Sequence, residues 1–211
     1  MSEIGIYILS ALLVCLIFNG LDLLFRKHLS TESMTRIALM SAISTILGFF
    51  PEIPMAFFAP WLKLDFAYLP MLLTGFSMGF GPGLIVLTIK NIFQLITTNS
   101  AGAGQAADMI MGICMLLPAV LIYKANRTRM GALIGMICGI LAMTAGAVLA
   151  NWFILLPVFL GDGFEAYMEA HPTLMWIAVV PFNLIKGVAV CAVTYFLYKP
   201  LSPFLKKGLK A

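Results

Sequence analysis

Apolar residues in this chain do not alternate with polar ones. They run in long blocks. An α-helix needs about 20 apolar residues to cross a bilayer. Seven blocks approach that length: 4–25, 35–50, 66–80, 82–98, 104–123, 131–160 and 173–198. The second to fourth are short or interrupted by Gly and Pro. The sixth is longer than a single span, and Pro157 is expected to end it, because proline has no N–H to give a helix interior. The pattern predicts an all-α integral membrane protein. Six helices occupy residues 31–211, and an extra transmembrane span with a basic connection occupies residues 1–30.

Composition agrees with the pattern. Of the 211 residues, 62% are hydrophobic and 10% charged. Soluble domains have about 25% charged residues. Mean hydropathy is +1.02. The first block has the N-terminus MSEI, with no Lys or Arg, and no A-x-A site comes after it. It therefore reads as a retained span rather than a cleaved leader.

The location of charge sets the orientation. Basic residues gather in three places: Arg26, Lys27 and Arg36; Lys124, Arg127 and Arg129; and Lys199, Lys206, Lys207 and Lys210. Segment 161–172 instead carries Asp162, Glu165 and Glu169 with no Lys or Arg. Cytoplasmic connections are rich in Lys and Arg. The chain then reads as a multi-pass membrane protein with a cytoplasmic C-terminus.

Within this apolar background a few polar side chains stand out. Lys90, Asn91, Asp108, Asn151, Asn183 and Lys186 all fall inside predicted spans. A Lys at mid-bilayer costs roughly 2.5–3.5 kcal/mol on insertion scales, so such residues pair or face a cavity. Asn183 and Lys186 are three residues apart, which puts them on one helix face. Two readings of Lys186 stand: a partner for a buried acid such as Asp108, or a cation that meets a ligand. Lys90 and Asn91 read at least equally as partners of Asp108 or Asp65. Asn151 and Asn183 supply amides that suit a heterocycle edge, sugar hydroxyls or a neighbouring helix. Trp61, Trp152 and Trp176 read first as an interfacial belt, with ligand stacking as the second reading.

Small residues form two faces. Gly131, Gly135 and Gly139 are spaced for close packing within the bundle, and Ala38 and Ala42 repeat the spacing at the start of the second block.

Catalytic signatures are missing from the sequence. It has no P-loop, no H-E-x-x-H and no G-x-S-x-G. Cys15, Cys114, Cys138 and Cys191 have no metal-ligand spacing, and His28 and His171 have no second ligand beside them. No enzyme, metal site or cofactor is expected. Without a soluble basic face, nucleic acid is no partner. An autonomous secondary transporter is the competing reading, but no inverted repeat is apparent.

Five stretches carry a resemblance: LKLDFAYLP (62–70), GFGPGLIVLTIKNIFQLI (79–96), AGAGQAADMIMG (101–112), NWFILLPVF (151–159) and PFNLIKG (181–187). In this order and spacing the chain resembles the S components of energy-coupling factor (ECF) vitamin transporters, and among them the riboflavin-specific members. The resemblance implies a six-helix bundle with a vitamin site near its outer face, partly closed by the connection 51–65. It implies riboflavin or a related flavin as transported ligand, and a scaffold subunit and two ATPases as partners. Asn151, Asn183 and Lys186 match flavin-contacting positions. Trp61, Lys63, Asp65 and Asp108 complete the candidate binding site. Ala38 and Ala42 match alanines that dock the scaffold. Two departures go with it: Asp108 stands where the family usually has Asn, and the span 4–25 has no counterpart in the typical member.

Overall fold

The computed structural model describes residues 30–50, 53–55, 57–97 and 102–206, with side chains as far as Leu201. The predicted span 4–25 lies outside the described residues. Apart from one small hairpin, the elements among the described residues are helices. The long ones are α1 (Thr31–Phe49), α2 (Tyr68–Met78), α3 (Phe80–Leu95), α4 (Ala103–Ala125), α5 (Arg129–Ala150) and α8 (Val180–Lys206). Two short helices, α6 (Leu156–Leu160) and α7 (Phe164–Ala170), lie between α5 and α8. Strands β1 (Ile53–Pro54) and β2 (Lys63–Leu64) pair antiparallel within the connection from α1 to α2.

Local chemistry explains the boundaries. Helix α1 begins four residues before its apolar block, because Ser30 Oγ accepts from the Ser33 N–H and caps it. Arg36 is therefore inside a helix, paired with Glu32 one turn earlier at 3.2 Å, rather than in a connection. Helices α2 and α3 meet at Gly79, whose φ of 103° is open to glycine and costly for other residues.

Pro157 does not end its helix. The chain passes through a π turn at Asn151–Leu155 and continues into α6, with Pro157 in the first turn. Its missing N–H falls where the hydrogen-bond ladder changes from π to α register, a place where a helix can absorb such a defect. Termination comes four residues later, at Gly161 with φ 53°. A second π turn, Met175–Val179, leads into α8, where Pro181 is again in the first turn.

The stretches Ala103–Ala125, Arg129–Ala170 and Met175–Leu201 are long and apolar enough to cross a membrane, while α2 and α3 are shorter apolar helices. Large apolar side chains such as Leu141, Phe153, Trp176 and Ile177 point outward, as a lipid-facing surface requires. The interior is led by Tyr68, Met71, Leu72, Leu87, Met115, Leu116 and Met143.

Helices α4 and α5 make the most extensive pair. The glycine face explains it. A Cβ on Gly135 would lie 2.7 Å from the Ala119 carbonyl oxygen, and one on Gly139 2.7 Å from that of Met115. A Cβ on Gly131 would collide with the Asn126 carbonyl. Backbone cannot yield as a flexible side chain can. Gly135→Ala is expected to destabilise the bundle by about 1–3 kcal/mol. Gly163→Ala places its Cβ in open space and should stay within about 0.5 kcal/mol of the parent. Thermal unfolding of the purified variants in detergent checks both.

Candidate ligand-binding site

The polar residues of the interior converge. Asp65 comes directly after β2, and its Oδ1 accepts from the Ala67 N–H at 2.9 Å. That short turn fixes the carboxylate ahead of α2. Its Oδ2 takes the Lys186 ammonium at 2.7 Å, across 121 residues of sequence. The hairpin connection is thereby tied to α8.

A second ion pair lies beside the first. Lys90 of α3 donates to Asp108 Oδ2 of α4 at 2.7 Å, and Asn91 Nδ2 donates to the same oxygen at 3.0 Å. The Tyr68 hydroxyl lies 3.1 Å from Asp108 Oδ1 and 2.9 Å from the Asp108 carbonyl oxygen, within donating distance of both. Tyr68 is fully buried between the pairs, with the Lys90 and Lys186 ammonium groups 5.6 and 5.0 Å from its ring centre. The side chains of Lys90 and Lys186 are only 1% and 5% exposed. At that depth an unpaired charge is expensive, and a hydrogen-bonded pair is the workable solution. Of the readings the sequence left open, Lys90 takes Asp108. Lys186 takes Asp65 rather than Asp108, because the Asp108 oxygens already serve Lys90, Asn91 and Tyr68.

These groups line a cavity of about 580 Å³. Pockets for drug-sized ligands run roughly 300–1,000 Å³. Every predicted binding residue is at this cavity: Trp61, Lys63, Asp65, Asp108, Asn151, Asn183 and Lys186. Lys63 is exposed, and the other six are partly or fully buried. Apolar walls come from Met111, Leu155, Phe159 and Phe182.

Each asparagine amide is anchored to its own helix. Asn151 Nδ2 donates to the Ala147 carbonyl and Asn183 Nδ2 to the Val179 carbonyl, each at 2.8 Å. Asn151 Oδ1 accepts from the Trp61 indole at 3.1 Å. That bond takes Trp61 out of the interfacial belt and into the wall, whereas Trp152 and Trp176 remain on the outside. Asn183 Oδ1 is buried and takes no hydrogen bond from the described residues. Gln105 Oε1, another cavity-lining acceptor, is also unsatisfied among them. Such a group loses its hydration unless a ligand or water provides a donor. Two lining residues thus keep unsatisfied acceptor oxygens, and the two buried lysines are balanced by carboxylates.

Gln94 and Gln105 were not among the predicted site residues. Gln94 Nε2 donates to the Gly48 carbonyl at 3.1 Å and ties α3 to α1 at the cavity edge. Gln105 is one of few polar residues in the first turn of α4, and that interruption is the sequence signal for it. The apolar wall residues gave no such signal. Ala38 and Ala42 are away from the cavity. They are exposed, one turn apart, on the outer side of α1 with Met34 and Ile46.

A helical membrane bundle around a polar-lined cavity defines a small-molecule-binding component of the membrane. Residues 32–198 match the family of ECF transporter substrate-specific components, and the chain belongs to that family. It is similar to the riboflavin transporter RibU of Staphylococcus aureus strain TCH60, with 34% identity over 86% of this chain and 98% of the relative. It is also similar to the riboflavin transporter FmnP of Bacillus subtilis strain 168, with 26% identity over 87% and 98% of the two chains. A solved S component of a bacterial ECF transporter superposes with a TM-score of 0.69 and 32% identity, covering 83% of this chain and 98% of that one. The expected family and all-α S-component fold are borne out, as is a multi-pass membrane protein. The family is one of transport components rather than catalysts.

The buried pair makes its own prediction. Asp108→Asn leaves Lys90 charged and uncompensated, and should cost about 3–5 kcal/mol. Adding Lys90→Met removes the stranded charge and should restore a large part of that loss. A double-mutant cycle by thermal unfolding reads the coupling.

Proposed function

We propose that this chain is the riboflavin-binding subunit of an ECF importer. It captures the vitamin at the outer face and passes it inward after joining a scaffold subunit and two ATPases. One observation carries the choice of ligand: two cavity-lining residues, Asn183 and Gln105, each keep a buried side-chain oxygen with no donor among the described residues, while the buried cations are already neutralised. Riboflavin is uncharged and rich in donors, with an imide N–H on its ring and hydroxyls on its ribityl chain. Its flat tricycle suits walls of Phe159, Phe182, Leu155 and Met111. Both named relatives are riboflavin transporters, which supports the same reading.

The residues have distinct tasks. Asn183 accepts from the ligand. Asn151 positions Trp61 through the indole hydrogen bond. Lys186 holds Asp65, and with it the connection that carries Trp61 and Lys63. Ala38 and Ala42 leave a shallow, small-residue face on α1 for the scaffold to approach closely. The basic connections support a cytoplasmic C-terminus, with the cavity toward the outside.

Riboflavin fluorescence should be quenched on titration with the purified protein. Asn183→Ala and Lys186→Ala are expected to weaken binding at least about tenfold, as losing a buried hydrogen-bonded partner does. FMN should compete less well, because its phosphate has no uncompensated buried lysine to meet. Equal or tighter FMN binding would reassign the ligand. Replacing Ala38 and Ala42 with Leu should leave quenching intact and abolish uptake in cells that supply the other subunits.

A further inference from the structure

A second cavity, of about 440 Å³, opens at the other end of the bundle. It lies where α4 ends, α5 begins and α8 reaches Lys199. Helix α5 runs between the two sites. From Met136 at the second cavity to Asn151 at the first, the chain rises about 22 Å at 1.5 Å per residue. Nothing in vitamin capture uses this second cavity.

Its composition is divided. Arg127, Arg129 and Lys199 are exposed at the rim. Among the described residues no carboxylate forms an ion pair with any of them. Thr128 Oγ1 caps the start of α5 at 3.0 Å from the Gly131 nitrogen, so the positive end of that helix dipole is at the same rim. Deeper in, the lining turns apolar. Tyr123 and Tyr198 share a hydroxyl–hydroxyl bond of 2.8 Å, and both rings pack edge-on to Phe76. Ala132 and Met136 form one wall, and Phe196 stands exposed beside the opening.

We infer that this cavity binds an anionic glycerophospholipid, with its headgroup phosphate among Arg127, Arg129 and Lys199 and an acyl chain against Phe196 and the apolar wall. A soluble phosphate ester satisfies the cations and leaves the apolar lining uncovered. A neutral lipid covers the lining and leaves three cations with no counter-charge. A phosphate ester with an acyl tail answers both halves of the cavity. The position is also right: the helices leave the apolar zone here, and basic pockets between helix ends are suited to anionic headgroups.

The test uses the full chain in nanodiscs of equal phosphatidylglycerol and phosphatidylcholine, with retained lipid read by native mass spectrometry. The parent should keep phosphatidylglycerol in preference to phosphatidylcholine. Each neutralised cation should lower that preference roughly fivefold, so that Arg127→Gln, Arg129→Gln and Lys199→Gln together bring it to parity. Riboflavin quenching by the triple variant should match the parent, which shows that the bundle is intact. Phe196→Ala should weaken lipid retention without changing the response to glycerol 3-phosphate. No headgroup preference in the parent, or a preference that survives in the triple variant, overturns the inference. Displacement of the lipid by equimolar glycerol 3-phosphate would overturn it in favour of a soluble phosphate ester.

Discussion

The structure depends on placing two lysines inside an apolar bundle. A buried ammonium group must find a carboxylate and further hydrogen bonds, or the bundle does not tolerate it. Lys90 and Lys186 each find one, at 2.7 Å, beside the buried Tyr68 ring. These two pairs do more than cancel charge. The first joins α3 to α4, and the second joins the α1–α2 connection to α8. Four separate segments are thus held around one space, and the space is the cavity.

The same constraint shapes what the cavity can recognise. Carboxylates occupy the lysines, and their own helices occupy the asparagine amide nitrogens. What remains at the cavity is apolar wall and two residues, Asn183 and Gln105, whose side-chain oxygens have no donor among the described residues. Under the proposed function, this lining suits a neutral, flat molecule with donors on its edge. It also gives the connection over the cavity a defined attachment. Asp65 on Lys186 and Trp61 on Asn151 both tie this connection to the bundle.

Much of this was legible in the sequence, and the reasons are physical. Long apolar blocks define membrane helices with little ambiguity, so α4 falls close to its predicted place, and the helical stretches Arg129–Ala170 and Met175–Leu201 lie over the predicted spans 131–160 and 173–198. Polar residues inside those blocks are rare and costly, and for that reason Asn151, Asn183, Lys186 and Asp108 stand out as candidates that line one cavity. The failures have equally definite causes. The start of α1 was misplaced because a hydroxyl cap was outweighed by hydropathy. Pro157 was read as a stop because a π turn leaves no mark in composition. Pairing was ambiguous because charge alone does not say which of two acids reaches which of two lysines; the turn at Asp65 and the hydrogen bonds of Asp108 decide it. Met111, Leu155, Phe159 and Phe182 were indistinguishable from any other core or lipid-facing residue until the chain was folded.

If the cavity bounded by the two ion pairs holds a flavin, the protein itself should be coloured. The decisive measurement is its visible absorption spectrum after growth with riboflavin and purification, with the chromophore then released by denaturation and quantified. Flavin bands altered by the apolar walls are expected, with close to one flavin released per chain. A colourless protein that stays colourless after incubation with excess riboflavin would contradict a flavin site.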